Sequence, residues 1–322
     1  MISAGRFIVI ALGGNAFQSK SDKGTVEEYW KNAYSAADVI VKLVEDGYRV
    51  AVTHGNGPQV GVIAELIALG ERYKGLPPMS LDIAGAMSQG WLGYILQQAI
   101  YNKLYEKKLI PSVIKGVVTV ITQTVVRGDD PDFKNPSKFI GPWYNEEEVK
   151  RLTEEHGWFF RPDPRGGYRR VVPSPDPIIQ VEIDAIKTLL NNNYVIIADG
   201  GGGIPVVREN GKLAGIEGVV DKDLGAERMA TALGADVLLI LTDVDHAYVD
   251  YGTSRAKALR ELTLSEAIKY YSEGHFKPGS MGPKILAAIR FIQNGGKLAI
   301  IGNLRNAQEA IRGELGTWII PG

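Results

Sequence analysis

Phe7-Ile8-Val9-Ile10-Ala11-Leu12-Gly13-Gly14-Asn15 is the stretch from which the fold can be read. Six apolar residues in a row are too few for an amphipathic helix and too uniform for a strand with one wet face. They predict a strand buried on both sides, and so helices over both faces of a sheet. Gly13-Gly14-Asn15 ends the strand with backbone amides able to turn toward an anion, although two glycines also suit an ordinary turn.

The same unit recurs outward from there. Val26 to Glu45 spaces Tyr29, Ala33, Ala36, Ala37, Ile40, Val41 and Val44 as one helical face, and Gly47 stops it. Tyr48 to Thr53 predicts a second strand. It runs into His54-Gly55-Asn56-Gly57-Pro58, and the helical pattern from Gln59 to Leu69 leaves that turn no hairpin partner. Tyr194 to Ala198 predicts a strand ending in Asp199 and the glycines 200–203, which suit a ligand lying against bare backbone. Val237 to Leu241 predicts another, ending in Thr242-Asp243-Val244-Asp245. In open α/β sheets ligands bind at the carboxyl ends of strands, where all of these turns would lie.

The remaining elements complete an alternating α/β chain. Met79 to Lys108 reads as one long helical region with Met87 and Trp91 in core packing. Val117 to Thr122, Lys297 to Ile301 and Thr317 to Ile320 predict strands, and Val181 to Leu190 a helix. Val206 to Ile216 predicts a hairpin about Asn210-Gly211. Thr263 and Glu266 form a capping box that opens a helix to about Tyr271. Residues 128–175 differ, being rich in proline, aromatics and charge, with a short helix capped by Asn145. An excursion of that kind between regular segments carries function or shields a site.

Composition narrows the chemistry. A net charge of -1 over 322 residues argues against a general nucleic-acid binder. The longest apolar runs fall far short of the roughly 20 residues of a membrane span. The N-terminus lacks the long apolar core and cleavage site of a signal peptide, which places the protein in the cytoplasm. Without cysteine there is no disulfide, thiolate metal site or cysteine nucleophile. Four scattered histidines without His-Glu-x-x-His give no basis for a zinc site, and no protein-built metal site is expected. Neither G-x-G-x-x-G nor G-x-x-x-x-G-K-[ST] occurs in an adequate context. Lysine, aspartate and backbone chemistry remain.

Gly218-Val219-Val220-Asp221-Lys222-Asp223-Leu224-Gly225 sets a lysine between two carboxylates at the start of a helical pattern running to about Leu233. Two aspartates could hold the ammonium while it offers its donors to a phosphoryl group, whereas a solvated turn with Asp223 as helix N-cap is the plainer reading. Lys277-Pro278-Gly279-Ser280-Met281-Gly282-Pro283-Lys284 puts Lys284 in the first turn of another helix. There a cation opposes the helix dipole by about 0.3–1 kcal/mol unless an anion is bound. Asn135-Pro136-Ser137-Lys138 sets a third lysine in a proline-stiffened loop, where by itself it reads as a surface residue.

Taken in order, Ala11 to Ala16, Thr53 to Gly61, Val172-Pro173-Ser174-Pro175, Gly200 to Pro205, Asp221-Lys222-Asp223 and Gly279 to Lys284 resemble the carbamate kinases of the amino-acid kinase superfamily, over nearly the whole chain. The resemblance implies one amino-acid kinase domain over 1–322. Its fold would be a three-layer α/β/α sandwich with a mostly parallel central sheet and a protruding lid subdomain. Residues 1–195 would be a carbamate-binding N-terminal lobe that includes the lid at 128–175, and residues 196–322 a nucleotide-binding C-terminal lobe. It implies a homodimer and reversible phosphoryl transfer between ATP and carbamate, giving ADP and carbamoyl phosphate, with Mg²⁺. Gly13, Gly14, Asn15, Gly55, Asn56 and Gly57 would line the acceptor and the moving phosphoryl group. Lys222 and Lys284 would neutralise that group, Asp223 would orient both lysines, and Lys138 would close over them from the lid. Gly201, Gly202, Asp243, Val244, Tyr248, Lys277, Ser280 and Met281 would lie near the nucleotide. Phe139 follows Lys138 where the family usually has proline. An acetylglutamate-type kinase and a silent nucleotide sensor on the same fold are the competing readings. Against the first, the glycine-asparagine turns hold no arginine for a larger acid; against the second stand Lys222, Asp223 and Lys284.

Overall fold

The computed structural model describes residues 6–18, 22–163 and 166–322, and only the backbone of Asn15 and Pro142. In chain order the first half comprises β1 (Phe7–Leu12), α1 (Val26–Glu45), β2 (Arg49–His54), α2 (Gly57–Lys74), α3 (Leu81–Glu106), β3 (Gly116–Thr119) and β4 (Gln123–Val126). Next come β5 (Lys138–Tyr144), α4 (Glu146–His156), β6 (Phe159–Pro162), β7 (Tyr168–Val172), β8 (Pro177–Gln180), α5 (Ile183–Asn191) and β9 (Tyr194–Ile197). The hairpin β10 (Ile204–Glu209) and β11 (Lys212–Gly215) leads to α6 (Lys222–Leu233) and β12 (Val237–Thr242). The chain ends with β13 (Ala247–Val249), β14 (Lys257–Leu259), β15 (Glu261–Thr263), α7 (Leu264–Ser272), α8 (Met281–Gln293), β16 (Leu298–Asn303), α9 (Ala307–Arg312) and β17 (Thr317–Ile320).

Eight strands form the central sheet in the order β15-β17-β16-β12-β1-β2-β9-β3, parallel throughout except for the β16/β17 pair. Alternation along β1 shows why its run is wholly apolar. Ile8, Ile10 and Leu12 pack with Ala33, Ala37 and Ile40 of α1 and Leu92 and Leu96 of α3. Phe7, Val9 and Ala11 face the opposite core, with Met229 of α6 and Ile285 and Ile292 of α8. Burying each large side chain contributes about 1.5–3 kcal/mol, so neither face tolerates a polar residue cheaply. The carboxyl ends of β12, β1, β2 and β9 lie side by side, and each opens into one of the turns singled out above.

A helix and a sheet make up the excursion. Asn145 and Glu148 form a reciprocal capping box on α4, and β5-β7-β6 make a three-stranded antiparallel sheet that periodicity did not reveal. The register of β5 against β7 shifts between Ile140 and Trp143, where Gly141 has a φ of +70°. This lid packs on the body through Ile140 and Val172, which join Val60, Ile63, Leu81, Ala84 and Val219 in a separate cluster. Glycine also meets glycine there: a Cβ at Gly61 would sit 2.3 Å from the Cα of Gly141. Alanine favours a helix over glycine by about 1 kcal/mol. Gly61→Ala is nevertheless expected to destabilise the protein by about 1–3 kcal/mol, the usual cost of overpacking, and to lower the urea midpoint. A raised midpoint would mean the lid does not rest there.

Met87 departs from expectation, being 48% exposed on the outer face of α3, while Trp91 is half-buried with its ring centroid 5.1 Å from that of Tyr29. Among the described residues no helix is long and apolar enough to cross a membrane.

Candidate active site

Asp221, and not Asp223, caps α6: its Oδ1 accepts from the Asp223 amide at 2.9 Å. Its other oxygen takes Lys138 Nζ from the lid at 3.0 Å, and that ammonium also donates to the Val220 carbonyl at 3.3 Å. The expectation that both aspartates hold Lys222 is therefore corrected. Asp221 and Asp223, two apart at the helix start, do not face one another, and the two carboxylates serve different lysines. Asp223 is 3% exposed and takes one ammonium on each oxygen, Lys222 Nζ on Oδ1 and Lys284 Nζ on Oδ2 at 2.8 Å. The conflict of Lys284 with its helix dipole is thus offset by the Asp223 carboxylate.

The electrostatics follow from this sharing. Burial alone would raise the Asp223 carboxyl, but Lys222 and Lys284 outweigh it and hold the group far below the usual carboxylate range. Burial, joined by the neighbouring charge of Lys284, pulls Lys222 below the ordinary lysine value in spite of Asp223. At Lys284 burial acts in the same sense, yet Asp223 prevails and the ammonium is held above its ordinary value. Two cations on one carboxylate leave a local excess of positive charge, which suits an oxyanion.

Bare backbone floors this cluster. The Gly13 amide donates to the Leu241 carbonyl at 2.8 Å and the Gly55 amide to that of Leu12 at 3.0 Å, tying the β1 and β2 turns to neighbouring strand ends. A Cβ at Gly55 would meet Lys222 Cδ at 3.2 Å and the Gly14 nitrogen at 3.4 Å, so the lysine stem lies across the two turns. Gly14 and Gly57 face open space. The Asn15 side chain lies outside the described residues. Asn56 is buried and points away from that space, donating to Ser88 Oγ at 2.8 Å.

Packing explains the four glycines after β9, where the sequence suggested a ligand. Side chains at Gly200, Gly201, Gly202 and Gly203 would strike His54 at 2.8 Å, Asn56 at 2.2 Å, the Val220 carbonyl at 2.9 Å and Thr124 at 1.9 Å. Gly201 and Gly202 therefore sit beneath the Asn56 and Asp221 segments.

Asp199, which opens this turn, is fully buried, and burial pushes its carboxyl up to about 7 despite hydrogen bonds from Gln180 and Thr124. Its Oδ2 has no hydrogen-bond partner. Between about pH 4 and 7 the unfolded chain loses this proton while the folded chain keeps it, so stability falls as pH rises. His54 has the opposite slope. Burial lowers its imidazole to about 4, so between about pH 6.5 and 4 only the unfolded chain gains the proton, and stability falls toward acid. The Asp199 slope is therefore read as a difference. Asp199→Asn should gain about 1–3 kcal/mol on the unsubstituted protein between pH near 5 and pH near 7.5 in urea unfolding. A difference independent of pH would mean that the folded carboxyl is ionised.

Beside the cluster opens a cavity of about 460 Å³ lined by Thr242, Asp243, Val244, Tyr248, Lys277, Ser280, Met281 and Lys284. Six residues expected near the nucleotide thus share one cavity, with Lys284 joining it to the ion-pair cluster; Gly201 and Gly202 are not in its wall. His246, Tyr251, His275 and Phe276 also line it and were not foreseen. Tyr251 arrives through the β13/β14 hairpin, whose three-residue strands leave no periodic trace. His275 and Phe276 directly precede Lys277, so only the extent of that loop was underestimated.

The chain is similar to known proteins over nearly its whole length. Residues 6–303 match the Amino acid kinase family. Carbamate kinase from Pyrococcus horikoshii is 50% identical over 314 residues, covering 98% of this chain and 99% of its own. Its counterpart from Pyrococcus furiosus is 50% identical over 317 residues, 98% and 100% of the two chains. The structure of carbamate kinase from Giardia lamblia bound to AMP-PNP superposes with a TM-score of 0.91 at 42% identity, covering 100% of both chains. This chain belongs to the amino acid kinase family and, within it, to the carbamate kinases, which makes it a phosphotransferase.

Proposed function

We propose that the protein catalyses reversible transfer of a phosphoryl group between ATP and carbamate, giving ADP and carbamoyl phosphate. The observation that carries this reading is the seating of Lys222 and Lys284 on opposite oxygens of one buried carboxylate. The first lies over the glycine turns and the second in the wall of the aromatic cavity.

Carbamate and the moving phosphoryl group would rest on Gly13, Gly14, Asn15, Gly55 and Gly57, with Asn56 bracing that floor. The adenine nucleotide would lie between Tyr248, Met281 and Val244, with Asp243, Lys277 and Ser280 at its polar end. Carbamate is already an anion, so its attacking oxygen needs no general base. His54, buried and held in its neutral form, is no candidate for one. Positioning and neutralisation of charge remain, the two needs of a loose phosphoryl-transfer transition state. Lys222 and Lys284 neutralise the transferring group, Asp223 fixes both, and Lys138 approaches from the lid through Asp221.

Mg²⁺ would supply further neutralisation of the nucleotide phosphates. Among the described residues no three acidic or histidine side chains gather to hold a metal, and the ion would be held mostly by the phosphates and water.

A division into lobes at 195/196 would fall within β9 (Tyr194–Ile197), with the turns after β1 and β2 in one lobe and α6, β12 and α8 in the other. A homodimer is favoured by the outer face of α3, where exposed Met87, Tyr94 and Tyr101 recur at helical spacing. Light scattering at micromolar concentration tests it, and a monomer would refute it. Acceptor choice is tested by measuring ADP formation with carbamate against N-acetylglutamate. Carbamate alone should support turnover, and turnover with N-acetylglutamate alone would overturn the reading.

A further inference from the structure

A second cavity, of about 520 Å³, lies between the lid and the body, outside the cluster and the nucleotide cavity described above. Its walls come from α2, from the start of α3 and from the lid segments around Trp158 and Arg170. Most of the wall is apolar, including Ile67, Leu81, Phe133 and Val172. One strong cation enters it, Arg170, which is 9% exposed and whose guanidinium carbon stands 3.8 Å from the centre of the Trp158 ring.

That guanidinium is poorly matched. Its Nε has no hydrogen-bond partner, and its ion pair is a loose one with Glu217 at 3.9 Å. Glu217 is itself committed elsewhere, since its other oxygen accepts from the Leu81 amide at 2.7 Å and caps α3. Burial pulls Arg170 down to about 10, the response of a cation short of counter-charge. A buried guanidinium in this state calls for a planar oxyanion on its fork. Glu71 and Glu217 also line the cavity and disfavour a doubly charged phosphate. A single negative charge on an apolar body fits both the walls and the cation.

We propose that this cavity is a second binding site, for a small organic carboxylate whose carboxyl group meets Arg170 beside Trp158 and whose apolar part lies against Ile67, Leu81 and Phe133. An occupant would bridge lid and body. The test reads binding and not turnover, so it stands apart from the choice of acceptor. Benzoate titrated calorimetrically into the full chain should bind saturably with a Kd on the order of 1 mM. Neutral benzamide should bind at least about tenfold weaker, as should benzoate to Arg170→Gln, because both remove the charge-assisted pair. Lys284→Ala should leave benzoate binding unchanged. Ala64→Phe, which fills the cavity from α2 and keeps the guanidinium, gives a second route should Arg170→Gln fail to fold, and it should abolish binding. Absence of saturable binding, its survival in either cavity variant, or its loss in Lys284→Ala would overturn the assignment.

Discussion

Lys284→Ala is expected to lower kcat by about a hundredfold or more, the scale on which removing one preorganised donor to a developing negative charge acts. The substitution takes away a cation shared by the ion-pair cluster and the cavity lined by Tyr248 and Met281. It leaves Asp223 still paired with Lys222, so no buried charge is orphaned and the fold should hold. Turnover should therefore fall far more than the melting temperature, and ADP should still bind. Steady-state kinetics beside a thermal melt separate the two effects. Near-normal turnover would remove Lys284 from the chemistry.

Asp223→Ala should behave in the opposite way and damage the fold as well as the rate. It leaves the ammonium groups of Lys222 and Lys284, each 13% exposed, facing one another without the carboxylate between them. Breaking a buried pair by removing one partner typically costs about 3–5 kcal/mol, because the remaining charges cannot regain water. The pH dependence has a definite sign. The folded Asp223 carboxyl titrates below its ordinary value of 3.8, so its stabilisation is fully present above about pH 4 and is lost as pH falls below that. The gap in unfolding free energy between the unsubstituted protein and Asp223→Ala should accordingly be wide near neutrality and narrow in acid. A gap under about 0.5 kcal/mol at neutral pH would show that Asp223 does not hold the two lysines together.

The β1 run was legible because parallel strands between two helical layers need apolar residues at every position, and Phe7 to Leu12 meet that need on alternating faces. The helices were legible through caps and spacing, as with Asn145 and Glu148 on α4 or Thr263 and Glu266 on α7. The lid sheet was not. Its first strand is broken by the Gly141 bulge and its partners are short and rich in arginine, so no period of two survives. The three lysines could be singled out one by one, but their pairings could not. Lys138 meets a carboxylate 83 residues away and Lys284 one 61 residues away. Local spacing pointed to a different arrangement, with Lys222 between both aspartates. The tetraglycine misled for a related reason, since the atoms that exclude side chains from it belong to His54, Asn56, Thr124 and Val220, all distant in sequence.

The proposed function rests on these lysines converging on one phosphoryl group, and ATP formation from ADP and carbamoyl phosphate probes that convergence most directly. With Mg²⁺ the unsubstituted protein should form ATP, and Lys284→Ala should form it about a hundredfold more slowly or worse while still binding ADP. ADP binding by the unsubstituted protein with no ATP formed would contradict the account.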